Sequence, residues 1–169
     1  YLLTGIVDEN GIRVARWTYD AQGRATSHER AGGLDRTAIG YNSDGTRNVT
    51  NALGQVVTYS FASVEGVPKV TGMVRLDPRE QSQARRAFSY GTNGFLASAT
   101  DWNGNLTTYV NDARGMPTLV REAVGTQAER TSTYEHHPRF HLPVRISRPG
   151  ERLEFTYDDR GNLIQSVAT

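Results

Sequence analysis

Along Arg152–Tyr157 the apolar side chains fall on every second position. Leu153, Phe155 and Tyr157 share one side, and Arg152, Glu154 and Thr156 share the other. A period of two with an aromatic side predicts a strand with one face packed and one face wet. The alternation stops at Asp158-Asp-Arg-Gly161. There an aspartate can accept backbone N–H groups across a turn, and a glycine can take the positive φ of a short bulged hairpin loop. An apolar run resumes at Leu163, so the segment predicts one β-hairpin.

The same register recurs. Trp17-Thr-Tyr19-Asp20-Ala-Gln-Gly23 is the nearest copy. Phe88-Ser-Tyr90-Gly91-Thr-Asn-Gly94 and Ile39-Gly-Tyr41-Asn42-Ser-Asp-Gly45 keep the aromatic and the glycine but lose the aspartate. Tyr109-Val-Asn111-Asp112-Ala-Arg-Gly115 has an asparagine in the tyrosine slot. Tyr59-Ser-Phe61-Ala62 lacks the glycine, and Ser132-Thr-Tyr134-Glu135-His-His-Pro138 has proline in its place. The slots fall at 19, 41, 61, 90, 111, 134 and 157, in steps of 22, 20, 29, 21, 23 and 23 residues. A second set of turns, Asp8–Gly11, Asn51–Gly54, Asp101–Gly104 and Ser147–Gly150, lies five or six residues ahead of an aromatic position. Each repeat then holds two strands and two turns, and the whole predicts about fourteen short antiparallel strands in consecutive hairpins.

Residues 62–87 break the rhythm. The polar stretch Leu76–Arg86 reads as an inserted, exposed loop, with one helical turn after Asp77-Pro78 as the alternative. Gly125 opens what reads as a longer connection with no demand for a positive φ. Pro138 and Pro143 bracket a segment that must be an edge, a bulge or a corner, because proline lacks a ladder donor.

The Tyr-Asp-x-x-Gly register at this spacing resembles the YD repeats of bacterial Rhs-type proteins. The resemblance spans nearly the whole chain and is strongest over 133–163, through Phe140-His-Leu-Pro143, Pro149-Gly150 and Phe-Thr-Tyr-Asp-Asp-Arg-Gly-Asn-Leu. It implies an all-β fold in which consecutive antiparallel hairpins form a long, curved, twisted sheet. In Rhs-type and related toxin-complex proteins such sheets spiral into a hollow shell around a toxin domain on the same chain. The 169 residues are then expected to be a single repeat region, 1–169, forming an arc of that shell. The expected repeat-defining positions are Trp17, Tyr19, Asp20, Gly23, Tyr41, Gly45, Phe61, Tyr90, Gly94, Asp112, Gly115, Tyr134, Phe155, Tyr157, Asp158 and Gly161. The expected partners are flanking repeats and a C-terminal toxin domain of a longer polymorphic toxin, secreted or at the cell surface, with self-association through exposed strand edges. The family's self-cleavage motif is not matched, since Asp77-Pro78 continues as Arg-Glu. The competing reading is a surface adhesion or carbohydrate-binding module.

Composition narrows the picture. Hydrophobic residues are 37%, mean hydropathy is −0.56, and 17 glycines stand against two methionines, which predicts a thin core. Nineteen basic and eighteen acidic residues leave a formal charge of +1, so there is no electrostatic reason to expect nucleic acid or an anionic membrane. No stretch approaches the ~20 apolar residues of a spanning helix. Tyr1-Leu-Leu-Thr-Gly lacks the basic start and apolar core of a signal peptide and suggests a piece of something longer. Without cysteine, disulfides say nothing of the compartment.

Chemistry is sparse. His136, His137 and His141 beside Glu135 are the densest metal-capable cluster. In an extended chain, however, the last two histidines stand about 13 Å apart, and the segment reads as polar filling of a degenerate turn. Nucleophile-elbow and phosphate-loop motifs are missing. Asp20, Asp112 and Asp158 sit where turn capping accounts for them, so the chain reads as non-catalytic, with no cofactor and no metal. Aromatics recurring at the repeat period read as a cross-strand ladder. Trp102, in a turn, is the best candidate for exposed sugar recognition.

Overall fold

The computed structural model describes residues 1–77 and 82–169. Among them are fifteen strands: β1 (Gly5–Val7), β2 (Arg13–Tyr19), β3 (Ala25–Arg30), β4 (Thr37–Tyr41), β5 (Arg47–Thr50), β6 (Val56–Val64), β7 (Val67–Asp77), β8 (Ser82–Tyr90), β9 (Leu96–Thr100), β10 (Leu106–Asn111), β11 (Pro117–Glu122), β12 (Arg130–His136), β13 (Pro143–Arg148), β14 (Glu151–Tyr157) and β15 (Leu163–Ala168). Their order in the sheet is the order of the chain, as successive hairpins require. A short 3-10 turn, Ala31–Gly33, joins β3 to β4. No helix among the described residues is long and apolar enough to cross a membrane. Contacts divide the chain into two compact units, Tyr1–Ser63 with Pro68–Arg85, and Val64–Val67 with Arg86–Thr169.

Each unit is two-faced. In the second, the pairings place Phe88, Ala99, Tyr109, Val120, Ser132, Tyr134, Ile146, Leu153 and Phe155 on one face. The opposite face is polar. Ser89 and Ser98 share a hydrogen bond of 2.6 Å, and Arg145 bridges Glu135 and Glu154 on the strands either side. In the first unit Trp17, His28, Ile39, Tyr41, Val49, Val57 and Tyr59 form the apolar face. Thr18–Ser27 at 2.6 Å and Asn48–Thr58 at 2.8 Å run along the polar one. Alternation thus decides which face each side chain joins, and cross-strand pairs stabilise both faces. The core is thin: among the described residues only Met116 and Ser132 are buried.

The segment 76–86 departs from expectation. Leu76 and Asp77 close β7, and Ser82–Arg86 open β8. Both ends of the expected loop are therefore strand, while 78–81, including the alternative helical turn, lie outside the described residues. The physical reason is on β8, where Ala84, Arg86, Phe88 and Tyr90 are half-buried and their neighbours exposed. The Arg86 guanidinium lies 5.1 Å from the Phe88 ring centroid. An arginine stem can fill an apolar position while its head rests on an aromatic face.

Three turns also differ. Glu65 and Gly66, with φ of 50° and 74°, form a two-residue connection of the mirror-image kind that hairpins favour, where no turn glycine was expected. Gly125 is not conformationally free: its φ is 80°, and its N–H donates to Glu129 Oε2 at 2.8 Å. Ser147 and Arg148 belong to β13, leaving Pro149-Gly150 as the loop between paired Arg148 and Glu151. Pro143 opens β13, a strand position that tolerates the missing donor.

Candidate functional site

The repeated loop is built from one aspartate outward. Asp158 N–H donates to Asn162 O at 2.9 Å, and Gly161 N–H to Asp158 O at 3.0 Å. Asp158 Oδ1 accepts Arg160 N–H and Asn162 N–H at 2.9 and 2.8 Å, and Oδ2 accepts the Asn162 side-chain amide at 2.8 Å. Gly161, at φ 85°, takes the left-handed corner that a side chain would strain. Asp20 and Asp112 cap their loops in the same way, as do Asp8, Asn51 and Asp101 in the second set. Gly23, Gly45, Gly94 and Gly115 occupy the corner of Gly161.

Where the aspartate is missing, another acceptor replaces it. Asp44 Oδ1 accepts Thr46 N–H at 2.9 Å, and Asn93 Oδ1 accepts Phe95 N–H at 3.1 Å, each two residues past the usual position. In the degenerate loop His137 stands in the aspartate's place, and its Nδ1 accepts Arg139 N–H at 3.1 Å and Phe140 N–H at 3.2 Å. Sequence reading missed all three. The signal was present as a carbonyl-bearing side chain or imidazole within two residues of the slot.

The residue before the aspartate works across the ladder. Tyr19 Oη donates to Leu3 O (2.7 Å), Tyr41 Oη to Ala25 O (2.9 Å) and Tyr157 Oη to Pro143 O (2.8 Å). Each tyrosine closes a strand and reaches a carbonyl at the first residue of the preceding strand or, for Tyr19, two residues ahead of it. Asn111 makes the equivalent bond, its side-chain amide donating to Leu96 O at 2.8 Å. The other slot residues differ. Tyr134 stacks on His136 with ring centroids 6.4 Å apart, Phe61 is exposed with Arg47 5.8 Å from its ring, and Tyr90 closes β8. Trp17 packs on His28 at 5.2 Å, and Phe155 lies on the apolar face of β14.

Successive loops touch. An ideal Cβ at Gly115 would lie 2.6 Å from Phe95 Cε1, and one at Gly161 would lie 3.5 Å from the Phe140 ring. Arg114 donates from Nη1 to His137 O and Pro138 O at 3.0 and 3.1 Å, and Arg139 Nη1 to Asp159 O at 3.4 Å. Within the second unit the loops at 91–94, 112–115, 137–142 and 158–161 are therefore linked in sequence. In the first unit Arg24, which follows Gly23, lies 4.1 Å over the Tyr41 ring.

The electrostatics are those of caps. The Asn162 amide and backbone N–H hold the Asp158 carboxyl below its ordinary range, and Asn105 does the same for Asp101. For Asp112 the main cause is the Met116 backbone N–H. These oxygens are already occupied by their own loops. No group of three or more metal-capable side chains is assembled among the described residues. Trp102 is half-buried, with the Arg86 guanidinium 5.8 Å from its ring centroid. On the apolar face of the second unit Val120, Ser132 and Tyr134 floor an open groove of about 500 Å³, rimmed by the ion pairs Glu122–Arg130 and Arg148–Glu151.

No family model matches the chain. It is 31% identical over 166 residues, 96% of its length, to the toxin protein Tse5 of Pseudomonas aeruginosa, and spans 12% of that protein. Its fold is similar to parts of the crystal structures of TcdB2-TccC3-Cdc42 (TM-score 0.69, 15% identity, 98% of this chain and 10% of that one) and TcdB2-TccC3-TEV (TM-score 0.68, 15% identity, 99% and 10%). At those identities the likeness is one of fold. The capped Tyr-Asp-x-x-Gly loops in register, the likeness to Tse5 and the shared fold support an Rhs/YD-repeat segment.

Proposed function

We propose that this chain is a non-catalytic wall segment of an Rhs-type shell, one that encloses and protects a toxin domain carried on the same full-length chain. The observation that carries this reading is the linked series of capped loops. Side chains that could serve chemistry or recognition are instead spent on joining each hairpin to the next. Similarity to a toxin over an eighth of its length supports the assignment to such a protein. Its partners are then the flanking repeats and the enclosed domain, and its setting is secreted or cell-surface. Aromatics paired within the ladder, and a half-buried Trp102, do not favour a sugar-stacking platform over this reading.

The test is an in-frame deletion of these repeats from the full-length protein. Containment predicts that the toxin domain becomes protease-sensitive while attachment to target cells is retained. A fully protected toxin domain together with lost attachment would replace the wall with an adhesion module.

A further inference from the structure

The loop 137–142 differs from its neighbours in what closes it. Its ends meet through His137 N–H donating to Leu142 O at 2.8 Å, and its turn is held by His137 Nδ1 accepting two backbone N–H groups. That ring nitrogen must carry no proton. The imidazole is fixed by Phe140, stacked at 4.7 Å, and by the edge of Tyr157 at 6.4 Å. Elsewhere on this side of the sheet the acceptor is a carboxylate or an amide, and an imidazole is the one acceptor of this kind that gains a proton near neutrality.

We propose that the 137–142 loop is an acid-labile joint: a proton bound at His137 Nδ1 removes the acceptor of Arg139 N–H and Phe140 N–H and releases the loop. Charged and titratable groups face the ring from several elements. From the 112–115 loop, Arg114 lies against the His137 and Pro138 carbonyls, and Asp112 is paired with Arg114 at 3.6 Å. From β14 comes Tyr157, and from the loop after it Asp159, whose carbonyl takes Arg139 Nη1. On the loop itself are Arg139 and His141, and at the end of β12 are His136 and Glu135, the latter held by Arg145. Of these carboxylates, Asp112 is engaged by Arg114 and Glu135 by Arg145. Opening also frees Phe140 from the Gly161 turn and Arg114 from its two carbonyls, so the joint between three successive loops loosens at once. This does not rest on the wall reading, because it concerns only how the loop closes.

The test is hydrogen–deuterium exchange on the full chain, followed by mass spectrometry of peptides covering 137–142 and corrected for intrinsic exchange. Loss of two net hydrogen bonds predicts that protection in this loop falls about tenfold or more between about pH 7.5 and about pH 5.5. The 101–104 loop, capped by Asp101 and not in contact with Phe140, should change less. His137→Asp supplies an acceptor that stays unprotonated over this range and should keep the protection, while His141→Asn should leave the wild-type response intact. Constant protection in the wild-type chain overturns the proposal. So does a response that survives His137→Asp or disappears with His141→Asn.

Discussion

The side-chain amide of Asn111 donates to the carbonyl of Leu96 at 2.8 Å, the same bond that Tyr157 Oη makes to the carbonyl of Pro143. A slot that looks degenerate in sequence is therefore intact in structure. A short amide and a long phenol both deliver a donor to the start of the preceding strand. Asn111→Ala and Tyr157→Phe should each destabilise the chain by about 0.5–1.5 kcal/mol, the net worth of one hydrogen bond. Urea unfolding checks this. An Asn111→Ala variant as stable as wild type would make the bond incidental.

The turn glycines are not equivalent, and packing rather than φ separates them. Gly115 and Gly125 have φ of 83° and 80°, so alanine at either site meets similar backbone strain, about 1–3 kcal/mol. At Gly115 the added methyl also runs into Phe95, whereas at Gly125 it has open space. Gly115→Ala should therefore cost more than Gly125→Ala by about 1–3 kcal/mol. Adding Phe95→Ala should recover part of that difference in a double-mutant cycle. Equal unfolding midpoints for the two single variants would remove the packing argument.

The capping aspartates set an acid limit of their own. Asp101, Asp112 and Asp158 are held below their ordinary range in the folded chain. In the unfolded chain they titrate near the usual value of about 3.9. The unfolded state therefore binds protons first. The stability these groups confer is complete above the ordinary range and is lost as pH falls through it towards the folded values. Asp158→Asn should keep the turn, as Asn51 does in its own loop with Leu53 and Gln55 N–H at 3.0 Å, yet flatten the acid limb. Melting temperatures from about pH 6 to about pH 3 test this, and an unchanged slope in the variant would count against it.

The last strand predicts association. All six residues of β15 are exposed, and Leu163, Ile164 and Val167 place apolar groups on a strand hydrogen-bonded to β14. Such a strand templates pairing with another chain unless a charge blocks it. The 169-residue chain should self-associate with rising concentration, and Ile164→Lys should reduce that association. Light scattering that finds wild type and variant equally monomeric would show that this edge is protected.

Much was determined by the sequence alone: strand positions, the Asp-x-x-Gly loops, the all-β class and the repeat register. These depend on a period of two and on turn chemistry spanning five residues, both of which a linear pattern carries. Strand continuity through 82–86 was missed because Arg86 looks polar in a pattern but packs its stem and rests its guanidinium on Phe88. The tyrosine staples, the Asn111 substitute, the Phe95–Gly115 contact and the His137 cap were decided by tertiary structure. The staples join residues 14 to 16 apart, and the loops touch partners about 20 residues away. Those separations become contacts only once strand register brings the ends of successive hairpins together. Register depends on every pair in the ladder at once, so no single stretch of the chain contains it.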